Sequence, residues 1–235
     1  MNLVLVLVLT ALAVFALRYA ILKAPWVFYL LAILADFLLL TGLSAALGST
    51  VNGVCLLLFN RGALAAALFA IVMWIGVFPR EGKVAKWLRP IRAELSIMAC
   101  LLIAGHMMQY LSVYLANLDG GAAKPTVLAA LCVALVLLVL MLLLGVTSVR
   151  AVKQRISAQT WRRIQAWAYA FYALVYVHVV LALGSSALAG GTMARETIIV
   201  YSVVFIGYFV ARIVRAMIEN KQKEAVEPAV NSTAR

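Results

Sequence analysis

Long apolar runs recur along the whole chain, separated by short polar connections. A helix that crosses a bilayer needs about 20 mostly apolar residues, at about 1.5 Å of rise per residue. The pattern predicts seven spanning helices, at residues 2–18, 26–47, 62–78, 94–116, 126–148, 164–183 and 197–217. We expect the third and shortest to begin earlier, near Val54, in spite of Asn60 and Arg61. The sequence therefore predicts an all-α polytopic transmembrane bundle over residues 1–220, followed by a disordered cytoplasmic tail at 221–235.

The composition excludes a soluble enzyme. Hydrophobic residues make up 66% of the 235 residues and charged residues 12%, whereas soluble domains have about 45–50% apolar and about 25% charged residues. The chain has neither a glycine-rich phosphate loop nor a soluble nucleotide-binding domain. Its three cysteines, Cys55, Cys100 and Cys132, are scattered and are typical of small buried apolar residues rather than a disulfide framework.

The net charge of +12 predicts the orientation of the chain in the membrane. Alone, such an excess could indicate nucleic acid, anionic lipid or membrane topology. Sorted by connection, 17 of the 20 lysines and arginines fall on one side, and only Arg61, Lys124 and Arg195 fall on the other. The positive-inside rule then places the N-terminus outside and the C-terminus in the cytoplasm. We expect a multi-pass protein of a bacterial inner membrane, in contact with lipid and not with nucleic acid.

Both histidines of the chain lie inside predicted spans. His106 follows the cytoplasmic-side Arg92 by 14 residues, and His178 follows Arg163 by 15, which places both imidazoles about 21–22 Å along their helices. Two histidines at matching depth predict the axial ligands of one haem b. The alternative is that each histidine makes an interhelical hydrogen bond. Zinc is less favoured, because it takes at least three protein ligands.

Asp36 is an acidic residue in the middle of the second predicted span. An ionisable residue in a span is a functional hypothesis, because burying it there is costly. Asp36 could relay a proton or bind a quinone. It could also form a hydrogen bond to a serine or threonine of a neighbouring helix, which is the interpretation that we favour.

Residues 144–183, LGVTSVRAVKQRISAQTWRRIQAWAYAFYALVYVHVVLAL, contain a set of features that resembles a known family. The matching features are the pair Thr147–Ser148, a short basic loop, Trp161, Arg163, Tyr169 and His178. The stretch resembles the ferric reductase-like transmembrane family, and most of all its bacterial haem-binding membrane subunit of the periplasmic methionine sulfoxide reductase system. Residues 89–110, RPIRAELSIMACLLIAGHMMQY, resemble the family helix that carries the other ligand, and residues 60–64 give a weaker match. The resemblance covers 60–215, so that 1–24 would be an extra N-terminal helix.

The departures from the family imply a single haem. Two-haem members have a second histidine pair nearer the cytoplasm, and the corresponding residues here are Arg92 and Gln165, neither of which is a usual haem ligand. By analogy with single-haem relatives, a flavin could occupy this inner site, with Arg92, Arg89 or Arg163 near its phosphate, or a quinol could deliver electrons within the bilayer. Arg61 and Arg195 are candidate partners of the haem propionates, with simple loop solvation as the alternative.

Together these features predict a membrane b-type cytochrome subunit of an oxidoreductase. One haem b on His106 and His178 would pass electrons to an acceptor outside, supplied by a separate donor such as a flavin reductase or a quinol. The alternative is a non-redox membrane protein, either a transporter or a scaffold subunit that keeps the fold without haem. No catalytic residue is predicted.

Overall fold

A computed structural model describes residues 3–119 and 125–233 of the chain. Every regular element in these ranges is helical. The α-helices are α1 (Leu3–Ala16), α2 (Arg18–Lys23), α3 (Pro25–Leu40), α4 (Leu43–Ala46), α5 (Ser49–Cys55), α6 (Ala63–Trp74), α7 (Lys83–Leu88), α8 (Arg92–Asp119), α9 (Pro125–Ser148), α10 (Arg150–Lys153), α11 (Ala158–Leu188) and α12 (Thr192–Thr233). A π-helical turn at Leu56–Asn60 follows α5, and a 3₁₀ turn at Arg89–Ile91 precedes α8.

Four helices are long and apolar enough to cross a membrane. They run over Lys83–Leu115, Pro125–Ser148, Ala158–Leu188 and Thr192–Gln222. A fifth candidate is a broken pair, Ser49–Phe59 and Ala63–Trp74. The first two predicted spans correspond to shorter apolar helices, Val4–Ala16 and Pro25–Leu40. The helical membrane character expected from the sequence is confirmed, with four or five candidate spans among the described residues.

The third predicted span is interrupted rather than straight. The two halves meet at an angle of 41°, and Gly62 lies between them with a φ of +63°. A residue other than glycine pays about 1–2 kcal/mol in this left-handed region. The apolar helix therefore begins well before residue 62, as expected, but it is broken where Asn60, Arg61 and Gly62 interrupt the apolar run.

Helix α6 lies at the centre of the bundle. It packs against α1, α8, α12 and the π-helical turn, and its buried face is largely small, with Ala63, Ala65, Ala67 and Ala70 almost fully covered. In a membrane, no hydrophobic force drives helices together, so helix association depends on close packing. Small residues allow the helix backbones to approach closely. The other main contacts join α9 to α11, α11 to α12 and α3 to α8.

The N-terminal helix is part of the bundle. Val6 of α1 is buried against Ala63 and Ala67 of α6. At the far end, Arg18 donates a hydrogen bond to the Trp87 carbonyl at 2.6 Å and stacks over the Trp87 ring, 4.3 Å from its centroid. The segment 1–24 therefore has a packing role, although the family resemblance does not include it. At the other terminus, α12 runs as a helix into the segment 221–235 for which we expected disorder.

Candidate functional site

His106 lies directly beside the break in the third span. A β-carbon built on Gly62 would be 3.5 Å from both Cγ and Nδ1 of His106, and 2.8 Å from Cδ1 of Ile103. Gly62 thus provides the space in which the imidazole sits. The ring of Tyr110, one turn further along α8, lies 4.7 Å from the imidazole centroid.

His178 is oriented by the backbone of a neighbouring helix. Its Nδ1 lies 3.2 Å from the carbonyl oxygen of Ala130 on α9. This geometry requires Nδ1 to carry the proton, so that Nε2 has the free lone pair. Metal-binding histidines typically use this arrangement, because a hydrogen bond from one nitrogen fixes the ring while the other nitrogen binds the metal.

The two histidines lie at the same level of the bundle when residues are counted from a common contact. The rings of Phe69 on α6 and Phe171 on α11 are 5.0 Å apart. Gly62 precedes Phe69 by seven residues, and His178 follows Phe171 by seven. Because two spanning helices separate α6 from α11, they run in opposite directions, and both counts lead about 10 Å toward the same end of the bundle. His178 is therefore level with Gly62, and His106 contacts Gly62 directly.

An apolar cluster joins the two histidine-bearing helices. It contains residues from four helices, namely Phe69, Cys100, Ile103, Met107, Leu137, Met141, Phe171, Leu174 and Val175. Ile103 and Met107 flank His106 on α8, while Leu174 and Val175 precede His178 by about one turn. Throughout the described residues, no group of three or more histidine, cysteine or acidic side chains could hold a metal ion. Two histidines are the number of axial ligands that a haem b takes and fewer than the three protein ligands that zinc takes.

Asp36 contacts the same turn of α8. Its Oδ2 accepts a hydrogen bond from the backbone N–H of Gly105 at 3.1 Å, and the residue is only 9% exposed. Asp36 therefore bonds to a neighbouring helix as we favoured, but its partner is a backbone amide and not the expected serine or threonine. Its second oxygen, Oδ1, has no hydrogen-bond partner among the described residues.

The two outer-side arginines lie at different distances from the histidines. Arg61 is exposed and directly precedes Gly62, next to His106. Arg195 is also exposed and donates a hydrogen bond from Nε to the carbonyl of Ala187 at 2.7 Å. Ala187 is nine residues beyond His178, which is about 13 Å along the helix. Arg61 is the better placed of the two for an anionic group beside the histidines.

A basic and aromatic cluster forms at the opposite end of the bundle. Arg92 lies close to Arg89, Tyr169 and Tyr208. Arg212 donates a hydrogen bond from Nε to the hydroxyl of Tyr169 at 3.1 Å. Arg163 is exposed on α11. The cluster brings three arginines from α8, its preceding turn and α12 together, and sequence reasoning did not single out Arg212 or Tyr208.

Gln165 is engaged with the end of α9. Its Nε2 donates a hydrogen bond to Oγ1 of Thr147 at 3.0 Å, and Nε1 of Trp161 donates one to the Thr147 carbonyl at 3.1 Å. Three residues of the family-like stretch therefore meet at one point. Gln165 therefore holds α11 to α9.

Sequence reasoning missed three residues that shape the site, Gly62, Gly105 and Ala130. Each of them acts through its backbone or through a missing side chain, so no chemistry-bearing group identifies it. The one available signal was the interruption of an apolar run at residues 60–62, since polar and glycine residues inside a span commonly break it.

Comparisons with known proteins give one relative. An uncharacterized protein of Treponema pallidum (strain Nichols) is 35% identical over 164 residues, which are 69% of this chain and 45% of that relative. The chain thus spans less than half the length of the relative. No family model matches the chain, and no solved structure matches it. The similarity is therefore to one bacterial protein of greater length.

Proposed function

We propose that the chain is the membrane subunit of a ferric reductase-like electron-transfer system, with one haem b between His106 and His178. The observation that carries the proposal is the pairing of these two histidines at one level, beside the break at Gly62. A haem b held there would supply reversible one-electron reduction of its iron. The residues around the haem would position it, exclude water from it and balance its charge.

The ring nitrogens support this assignment. His178 uses Nδ1 for the Ala130 carbonyl, which directs Nε2 away from α9. His106 lies beside Gly62, the residue directly before the start of α6. Arg61 would face the propionates, because it lies in the break itself, and Arg195 would have this role only for a group that extends further outward.

The cytoplasmic end supports a separate route for electrons into the bundle. We propose that Arg92, Arg89 and Arg212, with Tyr169 and Tyr208, receive an anionic donor such as a flavin, with a quinol as the alternative. Among the described residues, no acidic side chain forms a salt bridge with Arg89, Arg92 or Arg212. A phosphate or carboxylate would neutralise this uncompensated charge. The acceptor would lie outside the membrane, and the whole would act as one component of a larger oxidoreductase.

The proposed topology follows the same distribution of charge. We propose seven crossings in a bacterial inner membrane, with the N-terminus outside, in which the two short apolar helices and the broken pair each count as one crossing. A crossing by a short helix requires local thinning of the bilayer or flanking residues that reach the interface.

A non-redox transporter is the second candidate, and the break at Gly62 favours it. Transporters place substrates at discontinuous helices near the middle of the membrane. They usually have two such helices in corresponding positions of two related halves. The described helices contain one broken pair of this kind, so the second candidate is the weaker of the two.

The proposal is tested by reduced-minus-oxidised spectra of purified variants. We expect His106→Ala and His178→Ala each to lose the b-type signal. Met108→Ala and Val177→Ala are matched controls, because they lie next to the histidines on the exposed side of the same helices, and they should keep the full signal. A full signal in either histidine variant would show that the histidine is not a ligand.

A further inference from the structure

Helix α3 is held against α8 at two points by acidic side chains. At the cytoplasmic end, the hydroxyl of Tyr29 donates a hydrogen bond to Oε2 of Glu94. In the middle of the membrane, Asp36 accepts the Gly105 N–H described above. The first contact lies near the membrane surface, where polar groups are common. The second is buried in an apolar bundle, and it needs a separate explanation.

The absence of a side chain at Gly105 makes space for the Asp36 carboxyl. A β-carbon built on Gly105 would collide with the carboxyl group of Asp36. Glycine at this position therefore lets the carboxyl reach the α8 backbone. Burying an acidic side chain with one oxygen unpartnered is costly in a membrane, and packing alone could be provided by an apolar residue.

Asp36 fixes the rotation of the turn that carries His106. Consecutive residues of an α-helix differ by about 100° around the axis. Holding Gly105 against α3 therefore directs His106 about 100° around the axis from α3, where its ring meets Gly62. We propose that Asp36 is a positioning residue for His106, acting through the backbone of Gly105. This inference rests on the proposed function, because the orientation of His106 matters most for an axial ligand.

Charged groups do not account for the position of Asp36. Among the described residues, Asp36 is buried, accepts the Gly105 N–H and forms no salt bridge. The titratable groups on the elements packed against α3 are those of α2 and α8, namely Arg18, Tyr19, Lys23, Arg92, Glu94, Cys100, His106, Tyr110 and Tyr114. The hydrogen bond to Gly105 is the specific contact that Asp36 makes.

The test compares four variants by haem titration of the purified apo-protein. Asp36→Ser is too short to reach Gly105, and Gly105→Ala pushes the carboxyl away. We expect both to lose about 10- to 100-fold in haem affinity, as is typical when a residue that orients a metal ligand is removed. Asp36→Asn keeps an oxygen that can accept the same hydrogen bond, and it should restore binding. Gly184→Ala is the matched control on α11, where a β-carbon meets open space.

The low-spin electron paramagnetic resonance signal gives a second readout, because it reports the angle between the two imidazole planes. Asp36→Ser and Gly105→Ala should shift the signal, whereas Asp36→Asn and Gly184→Ala should leave it unchanged. Each measurement is made on the folded fraction, so that a reduced yield does not affect it. Wild-type binding and signal in both Asp36→Ser and Gly105→Ala would overturn the inference. Failure of the wild type to bind haem would instead overturn the proposed function, and the inference with it.

Discussion

At the scale of single residues, two glycines determine where the histidine at position 106 can lie. Gly105 brings α8 against Asp36, and Gly62 leaves room for the imidazole on the other side. The chemistry of the site belongs to the histidine, but its geometry depends on positions without side chains. We therefore expect substitutions at these glycines to act on the site more strongly than substitutions of neighbouring apolar residues.

The role of Gly62 can be separated from simple backbone strain. Gly62→Ala adds a methyl group near Ile103 and His106 in a residue with a φ of +63°. Gly42 has a φ of +72° with nothing within 4 Å of a built β-carbon. Both alanine variants should lose about 1–2 kcal/mol from the left-handed backbone, measured as a lower melting temperature in detergent. Only Gly62→Ala should also shift the haem spectrum. If Gly62→Ala and Gly42→Ala gave the same haem spectrum, this would contradict a role of Gly62 in placing His106.

At the scale of elements, the contact between α9 and α11 joins residues of the stretch 144–183, which carries the family resemblance. Thr147, Trp161 and Gln165 are separated along the chain, and the structure brings them together at the end of α9. The hairpin formed by α9 and α11 positions the helix that carries His178. The motif is therefore explained by packing, whether or not a cofactor lies near it.

Removing the hydroxyl of Thr147 tests this contact. Thr147→Val removes the nearer acceptor of the Gln165 amide, which then has only the Leu144 carbonyl at 3.5 Å among the described residues. We expect a loss of about 1 kcal/mol of stability, measured by thermal unfolding in detergent. Ser148→Ala is the matched control, because the Ser148 hydroxyl bonds only to the Leu144 carbonyl of its own helix, and it should be nearly neutral. A loss of haem signal in Thr147→Val without a loss of stability would instead indicate that Gln165 acts on the cofactor.

The helices could be predicted from the sequence, and the shape of the site could not. Each of the seven apolar segments is helical, because apolar length is visible directly in the residue pattern. The equal depth of the histidines follows from counting residues, since helical rise is constant. The break at Gly62, the Asp36–Gly105 contact and the Ala130 carbonyl depend on which helix faces cross each other. Neighbouring faces are set by packing between helices, which periodicity in one sequence does not reveal.

At the scale of the whole molecule, the distribution of charge indicates the direction of the proposed electron transfer. Basic residues cluster at the end of the bundle that contains Arg92 and Arg212, while the histidines lie toward the other end. With the basic end in the cytoplasm, electrons would enter near the arginines and leave near His106 and His178. The reverse orientation would place the proposed acceptor side in the cytoplasm.

Cysteine labelling tests this orientation in intact cells. In a variant with the three native cysteines replaced by alanine, Ser157→Cys lies in the α10–α11 connection and Leu188→Cys lies at the end of α11, where the side chain is 87% exposed. We expect a membrane-impermeant maleimide to label Leu188→Cys in intact spheroplasts, and Ser157→Cys only after disruption. Labelling in the opposite order would reverse the proposed topology.

The central claim is that this bundle holds a single haem b, and the haem content of the purified wild-type protein tests it most directly. A pyridine haemochromogen assay, normalised to the protein concentration, counts b-type haem for each chain. We expect this assay to give one haem b per chain. A value near zero would contradict the electron-transfer proposal and favour a non-redox membrane protein, and a value of two would contradict the assignment of His106 and His178 as the sole ligand pair.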